Sequence, residues 1–62
     1  MIEGDIIKLN DEEAGVYPFL AGKECEVVLM CDEKPTDQHV GYVRIVGHAK
    51  EYRVELVKFS KV

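Results

Sequence analysis

Apolar and polar residues alternate one for one along short stretches of this chain, and turn-forming residues cut each stretch before it is long enough for a helix. Period-two alternation sends successive side chains to opposite faces of a strand, whereas a helix would repeat its apolar positions every three to four residues. The first stretch, Asp5-Ile6-Ile7-Lys8-Leu9, turns Ile7 and Leu9 one way and Lys8 the other, and Asn10-Asp11 ends it. From Asn10 to about Glu24 the chain carries Gly15, Pro18 and Gly22, which is too punctuated for a helix and reads as a long loop.

The second strand begins at Cys25 and runs to Met30 or slightly beyond, with Cys25, Val27, Leu29 and Cys31 on the core face. Lys34-Pro35-Thr36-Asp37 follows as a turn, because Pro presets the backbone angle and Asp can bond its own turn. A third strand from Val40 to Gly47 puts Val43 and Ile45 inward and Tyr42 and Arg44 outward. With His48-Ala49-Lys50-Glu51 as a four-residue connection, Arg44 is expected opposite Glu55 and Val43 opposite Leu56. Tyr52, Val54 and Leu56 then point inward, while Val57 and Phe59 break the parity and call for a kink or single helical turn before a last short strand.

Five short strands in 62 residues, with one long loop after the first, suit a strongly bent antiparallel sheet that closes on itself, since an open sheet leaves edges unpaired. The expected fold is therefore all-β, a single small five-stranded barrel. A domain of this size buries only about 60% of its unfolded surface, so its core is thin. At 47% hydrophobic and 32% charged, the composition is nonetheless that of a folded protein.

Gly4-Asp5-Ile6-Ile7-Lys8-Leu9 looks like the opening of a KOW motif, a glycine-acid pair followed by alternating aliphatics. The run from Pro18 to Val27 is similar to the aromatic, glycine and valine that follow, departing from the motif at Cys25, where it has a second glycine. Val54-Glu55-Leu56-Val57-Lys58-Phe59 resembles the closing segment of the KOW domain in transcription elongation factors. The resemblance implies an SH3-like barrel that contacts RNA, ribosome or polymerase. Peptide-binding SH3 domains of signalling proteins are less similar, because their alanine-leucine-tyrosine-aspartate stretch and paired tryptophans are missing; the chain has no Trp.

Charge is distributed unevenly. Residues 1–37 hold ten acids against three lysines, for −7, and residues 38–62 hold five bases against Glu51 and Glu55, for +3. Two readings stay open: charged surface that keeps a small protein soluble, or a dipolar molecule with separate acidic and basic faces. The net charge of −4 opposes general nucleic-acid affinity, which needs clustered Lys and Arg.

Catalytic chemistry finds little to work with. Six strand residues separate Cys25 and Cys31 by roughly 20 Å, beyond the ~5.5 Å of a disulfide or the reach of one zinc ion, so both are expected to be core-side apolar residues. A nucleophilic pair of Cys31 with His39 lacks an enclosed oxyanion site. Asp11-Glu12-Glu13 has neither the ligand spacing nor the central glycine of a calcium loop, and Gly22-Lys23 enters a strand rather than a helix, unlike a phosphate cradle. No catalytic residue, metal or cofactor is expected.

What remains is binding, and the candidate residues are Tyr17, Phe19, Tyr42, Arg44 and Arg53. Of the two loop aromatics, Phe19 is expected to plug the end of the barrel and Tyr17 to be exposed. Ile6, Val28, Met30 and Val46 fall on outward parity, which marks either an interface for a partner or for self-association, or bending that buries both faces. The leading expectation is a non-catalytic protein-interaction module, a small acidic bacterial or phage-encoded regulator docking on a host protein. The alternative is a KOW-like contact with RNA, DNA, ribosome or polymerase through Tyr42, Arg44 and Arg53, weak and sensitive to salt. Met1 followed directly by foldable sequence leads us to expect a complete small gene product. The absence of a basic, apolar leader and of any run near the ~20 residues of a membrane span leads us to expect a cytoplasmic protein with no membrane partner.

Overall fold

In the computed structural model, residues 1–31 and 40–62 are described; the expected turn at Lys34–Asp37, and His39, lie outside them. The elements in chain order are β1 (Ile6–Leu9), 3-10 turns at Asp11–Glu13 and Pro18–Leu20, β2 (Glu24–Cys31), β3 (Val40–Ile45), β4 (Glu51–Glu55), a 3-10 turn at Leu56–Lys58, and β5 (Phe59–Lys61). The strands form one antiparallel sheet in the order β4-β3-β2-β1-β5. No helix among the described residues is long and apolar enough to cross a membrane.

The expected all-β, five-stranded antiparallel architecture is present, and the parity break before the last strand is the 3-10 turn Leu56–Lys58. That turn leaves Val57 exposed while Leu56 and Phe59 both enter the core. Closure is another matter. β4 and β5 end the strand order and do not pair with each other, so the sheet is open on that side.

Among the described residues, nine make the core: Ile7, Leu9, Leu20, Cys25, Val27, Val43, Val54, Leu56 and Phe59. Every strand supplies at least one of them, because strand geometry turns alternate side chains to the interior. Two registers depart from expectation. β3 and β4 pair Arg44 with Glu51, Val43 with Tyr52 and Tyr42 with Arg53, so the expected facing of Arg44 with Glu55 and Val43 with Leu56 is four residues out. Gly47, at φ 89°, reverses the chain immediately after β3 in a conformation that L side chains rarely adopt, and this makes the connection begin earlier than the turn residues alone suggest. A slip of four preserves parity, which is why the inward set of β4 was still anticipated correctly.

The second departure is in β2. Its pairing with β3 shifts between Val27 and Leu29, a β-bulge that exchanges the two faces for the rest of the strand. Leu29, expected in the core, is 48% exposed. Met30, expected outward, packs against the core opposite Gly41, and Cys31, expected core-side, sits on the outer parity opposite Val40. The N-terminal segment secures the irregular strand. Gly4 N–H donates to Val27 O (2.8 Å), Val27 N–H to Asp5 O (2.9 Å), and Met30 N–H to Glu3 Oε2 (3.3 Å).

Candidate binding surface

The loop between β1 and β2 packs on the core face of the sheet, and its aromatics exchange the positions expected of them. Leu20 fills the interior, completely buried, where Phe19 was expected as the plug; Phe19 is 49% exposed. Pro18 starts the 3-10 turn with its fixed backbone angle, and the three residues of one tight turn cannot all face inward, so burying Leu20 turns Phe19 out. Tyr17, expected to be exposed, is half-buried and packs on the core. Its ring stacks on Phe59 at 6.1 Å, and its hydroxyl accepts a hydrogen bond from Glu55 N–H at 3.1 Å.

These contacts continue into a row of rings. Tyr17 meets Phe19 edge-on at 6.2 Å, Phe19 lies 5.0 Å from Tyr52, and Lys50 Nζ stands 5.2 Å above the Tyr52 ring. Such centroid separations are those of favourable aromatic pairs, and the ammonium sits within cation–π range. The row therefore runs from the buried Phe59 outward to an end made of exposed Phe19, half-buried Tyr52 and exposed Lys50. Tyr52 faces inward as its sequence parity predicts and packs against the core; its contacts with Phe19 and Lys50 were not anticipated from the sequence.

The other candidates, Tyr42, Arg44 and Arg53, sit together on the outer face of β3 and β4. Arg44 is engaged: its Nη2 and Nε donate to Glu26 Oε1 at 2.8 and 3.3 Å, and Glu51 lies opposite it on β4. Arg53 is exposed and pairs across the strands with Tyr42, which in turn faces Leu29. Val46 is exposed as expected, whereas Ile6 and Val28 are half-buried.

Among the described residues, acids and bases from the two parts of the chain meet in ion pairs. Glu26 pairs with Arg44, Glu13 with Lys58 at 3.2 Å and Asp5 with Lys61 at 3.8 Å, so in each of these pairs an acid of the first part of the chain meets a base of the last. The topology lays β5 on β1 and β3 on β2, and at these pairs it brings together charges that lie apart in the sequence. Hydrogen bonding to Glu13 holds the Lys58 ammonium above its ordinary pKa.

Both cysteines are free thiols. Cys25 is buried, and that burial pushes its pKa up, away from thiolate reactivity. Among the described residues no group of three or more His, Cys, Asp or Glu side chains is placed to hold a metal ion. An open groove of about 500 Å³ runs between the first 3-10 turn and β5, lined by Lys8, Asp11, Glu12 and Lys61 among others, a mixture of signs that selects no particular ligand charge.

No family model, curated protein or solved structure matches the chain.

Proposed function

We propose that this chain is a non-catalytic protein-interaction module, built as a small SH3-like barrel that is left open between β4 and β5, and that it docks on another protein through the exposed end of its aromatic row. The observation that carries the reading is Phe19. Leaving a ring half in water forgoes burial that a domain with so few core residues could use, and Phe19 packs against Tyr17 and Tyr52 with its free side outward. Anchored aromatics of this kind dominate protein interfaces, because they contribute large contact area while losing little conformational freedom on binding. As a regulator the module needs no chemistry of its own. It presents Phe19, Tyr52 and Lys50 to a partner whose complementary surface is apolar with an acidic rim.

A KOW-like contact with nucleic acid is the second reading, favoured by one feature: exposed Arg53 beside Tyr42 on the outer face. Against it, Arg44, Lys58 and Lys61 each stand beside a carboxylate, which lowers the positive potential available to phosphates.

Two measurements separate these readings. In affinity capture at low and moderate salt, a partner protein is expected with the wild type and with Arg44→Ala, and is expected to be lost with Phe19→Ala. In fluorescence anisotropy with labelled RNA and DNA oligonucleotides, no binding is expected even at low salt. Salt-sensitive binding that weakens on Arg53→Ala would replace the first reading by the second.

A further inference from the structure

The outer edge of β4 carries a pattern of backbone groups and charges that complements itself. In an antiparallel ladder, residues alternate between those whose N–H and C=O face the partner strand and those whose groups face away. Glu55 N–H donates to the Tyr17 hydroxyl, so it faces away from β3, and Arg53 and Glu51 share that direction. The opposite side of the ladder agrees. Val46 N–H donates to Glu24 O, which turns the groups of Arg44 toward β2 and those of Val43 toward Tyr52. Among the described residues nothing pairs with this edge except Tyr17 at Glu55, so the open positions are Glu51 and Arg53, both exposed.

The geometry points to a second copy of this chain as the occupant, its β4 antiparallel to the first, with the two-fold axis passing at Tyr52. In this register Glu51 faces Arg53 of the second copy, and Arg53 faces its Glu51. Each pair exchanges two backbone hydrogen bonds, and all four come from groups that point outward. The side chains agree with the backbone. Across the outer face Glu26, Arg44 and Glu51 already alternate in sign, and Arg53 of the second copy continues the series across the seam.

Neighbouring registers fail. Moving the axis to Arg53 sets Arg53 against Arg53 and Glu51 against Glu55, and it requires the Glu55 N–H that Tyr17 already holds. Moving it to Glu51 sets Glu51 against Glu51, and a shift that pairs residues of unlike parity turns one core face out. On the inner side the favoured register brings the two Tyr52 rings together at the axis, each with its Phe19, so the dimer joins the two aromatic patches into one surface. This assembly goes beyond the proposed docking role, which a single copy can perform.

Sedimentation equilibrium from micromolar to millimolar protein tests the seam. A monomer–dimer equilibrium is expected for the wild type. Arg53→Glu and Glu51→Arg each place like charges at both contacts and are expected to weaken the dimer by about tenfold or more. An equal mixture of the two variants restores opposite charges at both contacts and is expected to recover the wild-type dissociation constant as a heterodimer. Amide NMR spectra report whether each variant is folded; should Glu51→Arg unfold beside Arg44, Arg53→Pro replaces it. Proline there removes an outward N–H and no hydrogen bond within the chain, so the fold is expected to remain and the dimer to disappear. A wild type that stays monomeric at every concentration overturns the inference and leaves the edge to a strand of some other protein. So does a dimer that survives both Arg53→Glu and Arg53→Pro.

Discussion

Two positions show how little room the interior leaves. A Cβ on Gly41 would lie 2.7 Å from Leu29 O and 2.8 Å from Leu56 Cδ1, and the backbone oxygen cannot move without disturbing the β2–β3 ladder. Gly41→Ala is therefore expected to cost about 1–3 kcal/mol in urea unfolding, the usual penalty for overpacking. Gly15→Ala is the control, since nothing lies within 4 Å of a Cβ there; its stability is expected to stay within about 0.5 kcal/mol of wild type. Tyr17 carries a different kind of constraint, joining the loop to β4 through one hydroxyl. Tyr17→Phe keeps the stack on Phe59 and loses the acceptor for Glu55 N–H, so the same assay is expected to show a loss of about 1 kcal/mol.

Among the elements, β2 is the one whose sequence misleads. Polarity alternates only over Cys25-Glu26-Val27; Val27 to Cys31 are all apolar, so residue type does not say which of them face the core, and the bulge after Val27 exchanges the two faces. The cause lies in neighbouring strands: Gly41 lets β3 approach closely opposite Met30, and Glu3 receives the Met30 N–H. A direct consequence is that Leu29 and Met30 respond to substitution in the reverse of the order their parity suggests. Leu29→Thr is expected to change stability by no more than about 0.5 kcal/mol, because the side chain is half in water. Met30→Ser puts a hydroxyl against the core and is expected to cost about 1–3 kcal/mol, read from the shift in the denaturation midpoint.

For the molecule as a whole, two titrations point the same way. The Cys25 thiol is raised by burial, and the Lys58 ammonium is raised chiefly by its hydrogen bond to Glu13. Both groups bind their protons more tightly folded than unfolded. Their contributions are then complete below the unfolded pKa values, about 8.5 for the thiol and about 10.4 for the amine, and decline as pH rises past each. The melting temperature is expected to hold from neutral pH to about pH 8 and fall above it. Cys25→Val should flatten the earlier part of that decline and Lys58→Met the later part; a limb unchanged in both variants would mean that other groups govern it.

At this scale the division between sequence and tertiary structure becomes plain. Local alternation and turn chemistry were sufficient for five strands, the long loop, the 3-10 break at Leu56–Lys58 and most of the core, because strand parity depends only on neighbouring residues. Three things were decided by how the elements meet rather than by strand parity. The β3–β4 register depends on where Gly47 turns the chain, the facing of Leu29 and Met30 on a bulge held by Gly41 and Glu3, and the choice of Leu20 over Phe19 on the shape of the space left by the strands. The candidate surface divides in the same way. Phe19 was legible as a loop aromatic, while Tyr52 and Lys50 join it only once β4 folds against the loop. Charge follows the same logic, since Glu26 meets Arg44 and Asp5 meets Lys61 only when β3 is laid on β2 and β5 on β1, and that adjacency is a property of the folded sheet.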